Sequence, residues 1–289
     1  EIALQNFIGI ELEDFAVETA KLSLYVAQHQ MNILFKNTFG AGPPDLPLTH
    51  SARIVAQNAV ASDWNDLCQV DEQRETYVVG NPPYLGTRNQ TTQQKNDLKS
   101  VFSGATQHYK KLDYVACWYM KALEYCRQFG GVFTFVSTNS ICQGEQVAIL
   151  WPIIFEADYE IGFAHSAFKW KNSATKNAGV TCVVMSIGPS SSRQKSIYDD
   201  GIVRSVNNIS PYVIDFDNTI VARRNEPLAT NIEMSYGNYP ADGNFLTFSA
   251  AEYAGLIANH PEAQPFLRRL YGAQEMLKGI ERWCLWLDD

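Results

Sequence analysis

The four residues Asn81-Pro82-Pro83-Tyr84 are the part of the sequence best suited to chemistry. Two successive prolines fix the backbone and remove two N–H donors, so the carbonyl groups here point outward instead of joining a sheet. The side-chain oxygen of Asn81 and the carbonyl oxygen of Pro82 can then both accept hydrogen bonds from one exocyclic amino group. An aromatic amine is a poor nucleophile, and two such acceptors raise the electron density on its nitrogen and stabilise the positive charge that develops during attack on a methyl sulfonium. Tyr84 offers a face on which a base can stack. The competing interpretation is a tight turn after a strand.

These side chains must be positioned by surrounding strands and helices, and the hydrophobic pattern of the sequence predicts where those elements lie. Buried strands are expected at residues 7–12, 51–60, 77–80, 132–136, 161–164 and 180–187, the last two as a strand pair around a loop. Helices are expected at residues 15–31, 113–127 and 143–155. This alternation predicts an α/β fold with a mostly parallel sheet and helices on both faces. Ligands of such sheets bind at the carboxyl ends of the strands, where Asn81 follows residues 77–80.

The remaining segments are more polar. Residues 86–111 are expected to form a mobile loop with a short helix, which becomes ordered only when DNA binds. From about Phe216 the pattern changes, with a dense turn at 237–243, a helix capped by Ser249 and a further helix within 261–270. We therefore expect one domain over residues 1–215 and the start of a smaller α+β domain over residues 216–289.

The charge distribution is uneven. The net charge is −8, which by itself argues against a nucleic-acid partner. Residues 81–215 nevertheless carry 13 basic and 10 acidic residues, whereas residues 1–80 carry 4 and 11. A DNA-facing surface is thus expected in the middle segment, with a solvated surface of mixed charge as the alternative.

The six cysteines form no CxxC pair and no cluster with zinc spacing, so they are expected to be buried free thiols in a reducing cytoplasm, and no metal is expected. No apolar run reaches the roughly 20 residues that a membrane-spanning helix needs. The first residue is Glu1, not Met, a strand is expected almost at once, and the chain ends on Trp-Leu-Asp-Asp with no polar tail, so we expect it to be part of a longer protein.

Asn-Pro-Pro-Tyr after a strand resembles the catalytic motif of amino methyltransferases that use S-adenosylmethionine. In that group an acidic residue after an earlier strand binds the ribose hydroxyls of the cofactor, a role that the resemblance gives to Glu11. A second acidic residue binds the adenine amino group and a neighbouring residue packs on the ring, which matches Asp63 and Trp64. Taken alone, each of these three residues also fits an ordinary surface or core position.

Residues 163–188 resemble a later motif of the same group, in which an aromatic side chain covers the other face of an extruded base. Phe168 is the candidate, with Trp170 as the alternative. Three lysines nearby, Lys169, Lys171 and Lys176, are candidates for DNA phosphate contacts. The order of the motifs resembles the γ arrangement, whose glycine-rich first motif would precede residue 1, so the cofactor half of the pocket is expected to be incomplete.

The resemblance extends over nearly the whole chain and is to the MmeI-like (type IIL) restriction-modification family. It is carried by four stretches: Gly9-Ile-Glu-Leu-Glu-Asp-Phe-Ala, Asp113-Tyr-Val-Ala-Cys-Trp-Tyr, Val136-Ser-Thr-Asn-Ser-Ile-Cys-Gln-Gly-Glu-Gln and Arg282-Trp-Cys-Leu-Trp-Leu. It implies a Rossmann-like class I methyltransferase sheet followed by the start of a target-recognition domain.

Together these features predict a site-specific adenine-N6 DNA methyltransferase that uses S-adenosylmethionine, acts on double-stranded DNA by base flipping and belongs to a restriction-modification enzyme. One alternative is a methyltransferase that acts on RNA adenine or on a protein glutamine. Another is a DNA specificity module without catalysis.

Overall fold

The computed structural model describes residues 3–42, 51–69, 75–170, 179–224 and 243–286. The chain divides into two compact units, Glu1–Arg224 and Asn225–Asp289. None of the helices in the described ranges is long and apolar enough to span a bilayer.

The first unit contains alternating strands and helices. Its strands are β1 (Ile8–Glu11), β2 (Arg53–Ala56), β3 (Tyr77–Gly80), β4 (Val132–Thr138), β5 (Tyr159–Lys169), β6 (Thr181–Pro189), β7 (Lys195–Asp199) and β8 (Ile202–Val206). Its helices are α1 (Asp14–Phe39), α2 (Trp64–Leu67), α3 (Thr92–Phe102), α4 (Ala116–Cys126) and α5 (Gly144–Glu156). Short 3-10 turns lie at Leu4–Asn6, Tyr109–Lys111 and Asn139–Cys142.

The strands form two sheets. Strands β1 and β2 are a parallel pair, and the other six strands lie in the order β3-β4-β6-β5-β7-β8. The predicted α/β class is confirmed, but the larger sheet is mixed and the expectation of a mostly parallel sheet was wrong. The pairs β3/β4 and β5/β7 are parallel, whereas β4/β6, β5/β6 and β7/β8 are antiparallel. The reason is the predicted strand pair itself, because β6 folds back on β5 and is inserted between β5 and β4.

The core of this unit lies between the sheet and the helices. Residues of β4 alternate between buried and partly exposed, as expected for a strand with one face on the core, and Phe133 and Phe135 are buried. Tyr119 of α4 packs edge-on against both rings, and Trp151 of α5 is also fully buried. These contacts fix the position of β4, and β4 in turn pairs with β3 along Tyr77–Gly80.

The polar segment 86–111 is more ordered than expected. Thr91 and Gln94 form a capping box at the start of α3, and Leu98 and Phe102 are buried in the core. The expected helix is confirmed, and its two buried residues pack it into the core, whereas the ordering of the segment on DNA stays a prediction. Two apolar residues four apart are sufficient to fix one face of this otherwise polar helix.

The second unit has a three-stranded antiparallel sheet in the order β10-β11-β9. Its elements are β9 (Thr247–Ser249), α6 (Ala250–Asn259), β10 (Leu267–Arg269), α7 (Ala273–Lys278) and β11 (Arg282–Leu285). Ser249 caps α6 as predicted. The helix expected within 261–270 is a 3-10 segment, Pro261–Phe266, that leads directly into β10.

All six cysteines are free thiols, as predicted. Five of them are buried, and Cys68 is partly exposed.

Candidate active site

The tetrapeptide begins directly after β3. Gly80, the last residue of β3, pairs with Phe135 of β4, and the Phe135 ring lies 3.5 Å from the position of a Cβ on Gly80. The strand thus ends in contact with an aromatic core residue. Asn81 is exposed, whereas the next residue, Pro82, is buried. The asparagine amide is therefore accessible to solvent, while the backbone beside it is packed against the protein.

Tyr84 is half-buried, and its hydroxyl group is held by β6. The Cys182 thiol donates a hydrogen bond to Tyr84 Oη over 3.8 Å, and the ring packs against the core. Burial, followed by the contact with Cys182, raises the pKa of the Tyr84 hydroxyl. The phenol therefore stays neutral near physiological pH and leaves an uncharged aromatic face at the site.

Phe168 lies near the end of β5, just past an irregularity in its pairing with β6 between His165 and Phe168. Its partner across the strands is Cys182, the same residue that contacts Tyr84. Directly paired residues project from the same face of a sheet, so Phe168 and Cys182 lie on one face. Because the Tyr84 hydroxyl contacts Cys182, Tyr84 lies at that face as well. Phe168 is 36% exposed, and the ring centroid of Trp170 lies 6.4 Å from that of Phe168.

The residue after the tetrapeptide is held on both sides of its backbone. The Leu85 N–H donates to Asp113 Oδ1 over 2.7 Å, and the Leu85 carbonyl accepts from Gln90 Nε2 at 2.9 Å and from the Tyr114 N–H at 3.1 Å. We call these three contacts the Leu85 anchor. The sequence alone indicates no role for Asp113 or Gln90, except that Asp113 opens one of the stretches that carry the family resemblance.

Glu11 and Asp63 follow two neighbouring parallel strands. Glu11 is the last residue of β1 and pairs with Ala56, the last residue of β2, and the loop after β2 leads to Asp63. The carboxyl ends of parallel neighbours lie at one edge of a sheet, so both acidic residues follow the same edge. The Glu11 side chain is exposed, whereas Asp63 Oδ1 caps α2 by accepting from the Asn65 N–H at 2.9 Å.

Trp64 is directed toward the protein. Its indole N–H donates to the Ala59 carbonyl over 2.9 Å, and its ring centroid lies 6.0 Å from that of Tyr125 in α4. The ring is half-buried, so only part of it remains accessible to a bound molecule.

Lys169 is exposed at the end of β5, one residue beyond Phe168. Lys171 and Lys176 lie outside the described residues. A cavity of about 740 Å³ between α3 and α4, lined by Ser100 and Glu124 among others, includes none of the candidate residues.

Comparison with known proteins places this geometry in a family. A family model described as the DNA-methyltransferase domain of MmeI matches residues 1–199. The chain belongs to this family. A second family model, described as the target recognition domain of MmeI, matches residues 215–289.

Among the similar proteins, two cover the whole of this chain. The first is DNA methyltransferase A of Bacillus subtilis (strain 168), 40% identical over 290 residues. The second is the solved structure of the type IIL restriction-modification enzyme MmeI in complex with DNA, 37% identical with a TM-score of 0.88. The chain spans 33% of the Bacillus protein and 39% of the MmeI chain.

Proposed function

We propose that the chain is the methyltransferase region, with the start of a target-recognition domain from about residue 216, of a longer site-specific adenine-N6 DNA methyltransferase of the restriction-modification type. The observation that carries the proposal is the exposed Asn81 amide at the carboxyl end of β3, on a backbone anchored at Gly80 and at Leu85. Membership of the MmeI DNA-methyltransferase family supports it.

In this proposal the target adenine rotates out of the duplex, and its ring lies between Tyr84 and Phe168. The Asn81 side-chain oxygen and the Pro82 carbonyl accept the two hydrogens of its N6 amino group. They favour a pyramidal nitrogen and stabilise the positive charge that develops there. The amine would attack the methyl carbon of a bound sulfonium donor in line, the bond between that carbon and sulfur would break, and the methylated nitrogen would lose a proton to solvent afterwards. Orientation and electrostatics therefore supply the rate, and no base has to remove a proton before attack.

Methyltransferases in general take the methyl group from S-adenosylmethionine, which supplies an electrophilic carbon when it is bound. The residues present fit part of such a group, because the exposed Glu11 carboxylate at the end of β1 is able to accept hydrogen bonds from ribose hydroxyls. Asp63 is assigned to the adenine amino group and the exposed part of Trp64 to the adenine ring. Because Asp63 also caps α2, its carboxylate is already oriented.

Exposed Lys169, with Lys171 and Lys176, is assigned to DNA phosphates beside the flipped base. The six free thiols fit a reducing compartment, and we place the protein in the cytoplasm.

The test is methyl incorporation into duplex DNA by the full-length protein, with analysis for N6-methyladenine. Asn81→Ala should lower kcat by about 10²–10³, the effect of removing one preorganised hydrogen-bonding group that acts on the transition state. Asn89→Ala is the matched control, because Asn89 is an exposed asparagine in the turn that follows the site. Equal rates for Asn81→Ala and the parent protein would refute the mechanism.

The substrate class is tested in the same assay with duplex DNA, RNA and a protein that carries a Gly-Gly-Gln loop. Methylation of RNA or of the glutamine, with none of the DNA, would replace the adenine DNA assignment. If full-length protein bound specific DNA but bound no S-adenosylmethionine, the chain would be a specificity module and not an enzyme.

A further inference from the structure

We propose that Asp113 is a positioning residue, which sets the geometry of Asn81 and Tyr84 by holding the backbone of Leu85. The activity measurement that tests this inference rests on the proposed function. The structural argument and the hydrogen-exchange measurement rest only on the contacts of Leu85.

The tetrapeptide needs an anchor at its far end. At its start it is fixed by the β3/β4 pairing, which runs from Tyr77 to Gly80. Beyond Gly80 the two prolines have no N–H to donate to a neighbouring strand, so the ladder cannot continue. Without a second fixed point, the positions of the Pro82 carbonyl and the Asn81 amide would be set by a loop that is held at one end only.

The Leu85 anchor supplies that second point. Both backbone polar groups of Leu85 are used, the N–H by Asp113 and the carbonyl by Gln90 and Tyr114. A charged acceptor makes the contact to the N–H stronger than a neutral one would be. The same Gln90 amide also donates to the Leu112 carbonyl over 3.0 Å, which ties the loop after Tyr84 to the segment before α4.

Asp113 is itself rigidly held. Its Oδ1 also accepts from the Val115 N–H at 3.2 Å, and its own backbone N–H donates to Gln146 Oε1 at 2.9 Å. Asp113 is thus bonded to the start of α4 through its side chain and to α5 through its backbone. A misplacement of the Leu85 backbone would require several of these elements to move together.

The location of Asp113 excludes direct contact with a substrate. Asp113 is 4% exposed, and the oxygen that holds Leu85 is already shared with Val115. A group enclosed in this way cannot accept a proton from a base bound at Asn81. Its effect on the reaction must therefore pass through the backbone of Leu85.

Three variants of the full-length protein separate positioning from stability. Asp113→Ala removes the acceptor for the Leu85 N–H, whereas Asp113→Asn keeps an oxygen of the same geometry. Ser137→Ala is the matched control, because it removes another buried hydrogen bond, that with Tyr119, without touching the tetrapeptide.

Asp113→Ala should lower kcat roughly 100-fold, as expected for a displacement of about 1 Å at the reacting group, while KM for DNA changes little. Asp113→Asn should recover most of the rate, and Ser137→Ala should keep it.

Amide hydrogen exchange provides a measurement that does not depend on activity. In Asp113→Ala, exchange should accelerate in peptides that cover residues 81–90 and stay unchanged in β4 and α5. An inactive parent protein would refute the proposed function, and local acceleration at 81–90 would still support the anchor. Unchanged exchange at 81–90, or a kcat per folded molecule equal to that of the parent, would overturn the positioning role. If Asp113→Ala does not fold, Gln90→Met serves instead, since it removes both donors of the Gln90 amide and should give the same local acceleration.

Discussion

At the scale of single residues, Tyr84 has two separable parts, a hydroxyl group that is hydrogen-bonded to Cys182 and a ring on which a base could stack. Its hydroxyl group is fixed by Cys182, and its ring is half-exposed on the face where Phe168 also lies. The thiol is a weak donor, so the hydrogen bond contributes little energy and serves mainly to orient the ring. The stacking surface is therefore the part of Tyr84 that we expect to affect catalysis.

Two substitutions separate these parts. Tyr84→Ala should lower kcat/KM by an amount equivalent to about 1–3 kcal/mol, the contribution of one stacked base. Tyr84→Phe keeps the ring and should cost less than about 1 kcal/mol. Steady-state kinetics of the full-length protein, with 2-aminopurine fluorescence at the target position, measures both. Tyr77→Ala is the control, since Tyr77 is an exposed aromatic residue at the opposite end of β3. Similar losses in the Phe and Ala variants would show that the hydroxyl group, not the ring, matters.

Asp113 also makes stability depend on pH. Burial raises the pKa of its carboxyl group, although hydrogen bonds from Val115, Leu85, Thr138 and Tyr114 lower it. An acid whose pKa is higher in the folded state binds more protons when folded. Its contribution to stability is complete below the unfolded pKa of about 3.9 and is lost as the pH rises through the folded pKa.

Asp113→Asn cannot ionise, so its Tm relative to the parent protein should rise as the pH increases from about 4 toward neutral. For Glu145→Gln, the Tm relative to the parent protein should instead fall as the pH increases over the same range. Arg223, followed by Lys111, lowers the pKa of Glu145, so that carboxylate stabilises the fold above its unfolded pKa and ceases to do so as the pH falls through its folded pKa. Thermal melts of the full-length variants across this range measure both slopes. Parallel curves for Asp113→Asn and the parent would contradict a raised pKa.

The residues proposed to contact the base were proposed from the sequence alone, whereas the residues that hold them in place were not. Asn81 through Tyr84 and Phe168 are defined by side-chain types that a base or an amino group requires. Asp113 and Gln90 act on backbone atoms of a residue that is distant in sequence, and no spacing rule connects position 113 to position 85. Only the fold shows that a buried carboxylate meets the Leu85 N–H.

At the scale of elements, the strands were predicted more reliably than their directions. Hydrophobic runs indicated four strands of the larger sheet, β3 to β6, and residues 161–187 were correctly predicted as a strand pair, whereas β7 and β8 were not predicted. The periodicity of side chains reports which face is buried but not which neighbour a strand pairs with. The insertion of β6 between β4 and β5 is a property of the whole sheet, and through it Cys182 pairs with Phe168 and contacts Tyr84.

Helix α3 allows a test of how firmly the segment after the site is held. Phe102→Ala should cost about 3–5 kcal/mol of unfolding free energy, because the side chain is fully buried. Lys99→Ala, on the exposed side of the same helix, should stay within about 0.5 kcal/mol. Denaturant unfolding measures the two costs. Equal small costs would mean that α3 is not part of the core and would restore the interpretation of residues 86–111 as a mobile loop.

At the scale of the whole molecule, net charge is a poor guide to the partner. A chain of net charge −8 would be repelled by DNA if its charges were spread evenly. The excess of basic residues in 81–215 counters this, since that region includes the tetrapeptide, Phe168 and the three candidate lysines. Local charge near the site, not the total, should therefore set the electrostatic part of DNA binding.

Salt dependence tests this directly. Each phosphate contact releases about one counterion, so Lys169→Ala in the full-length protein should reduce the slope of log K against log salt by about 1. Because such a contact carries no sequence information, affinity for specific and nonspecific duplexes should fall by similar factors. Lys36→Ala, an exposed lysine on α1 in the acidic part of the chain, should leave the slope unchanged. Equal slopes for both variants would place Lys169 away from the phosphates and would leave the DNA-facing surface to the other basic residues of this region.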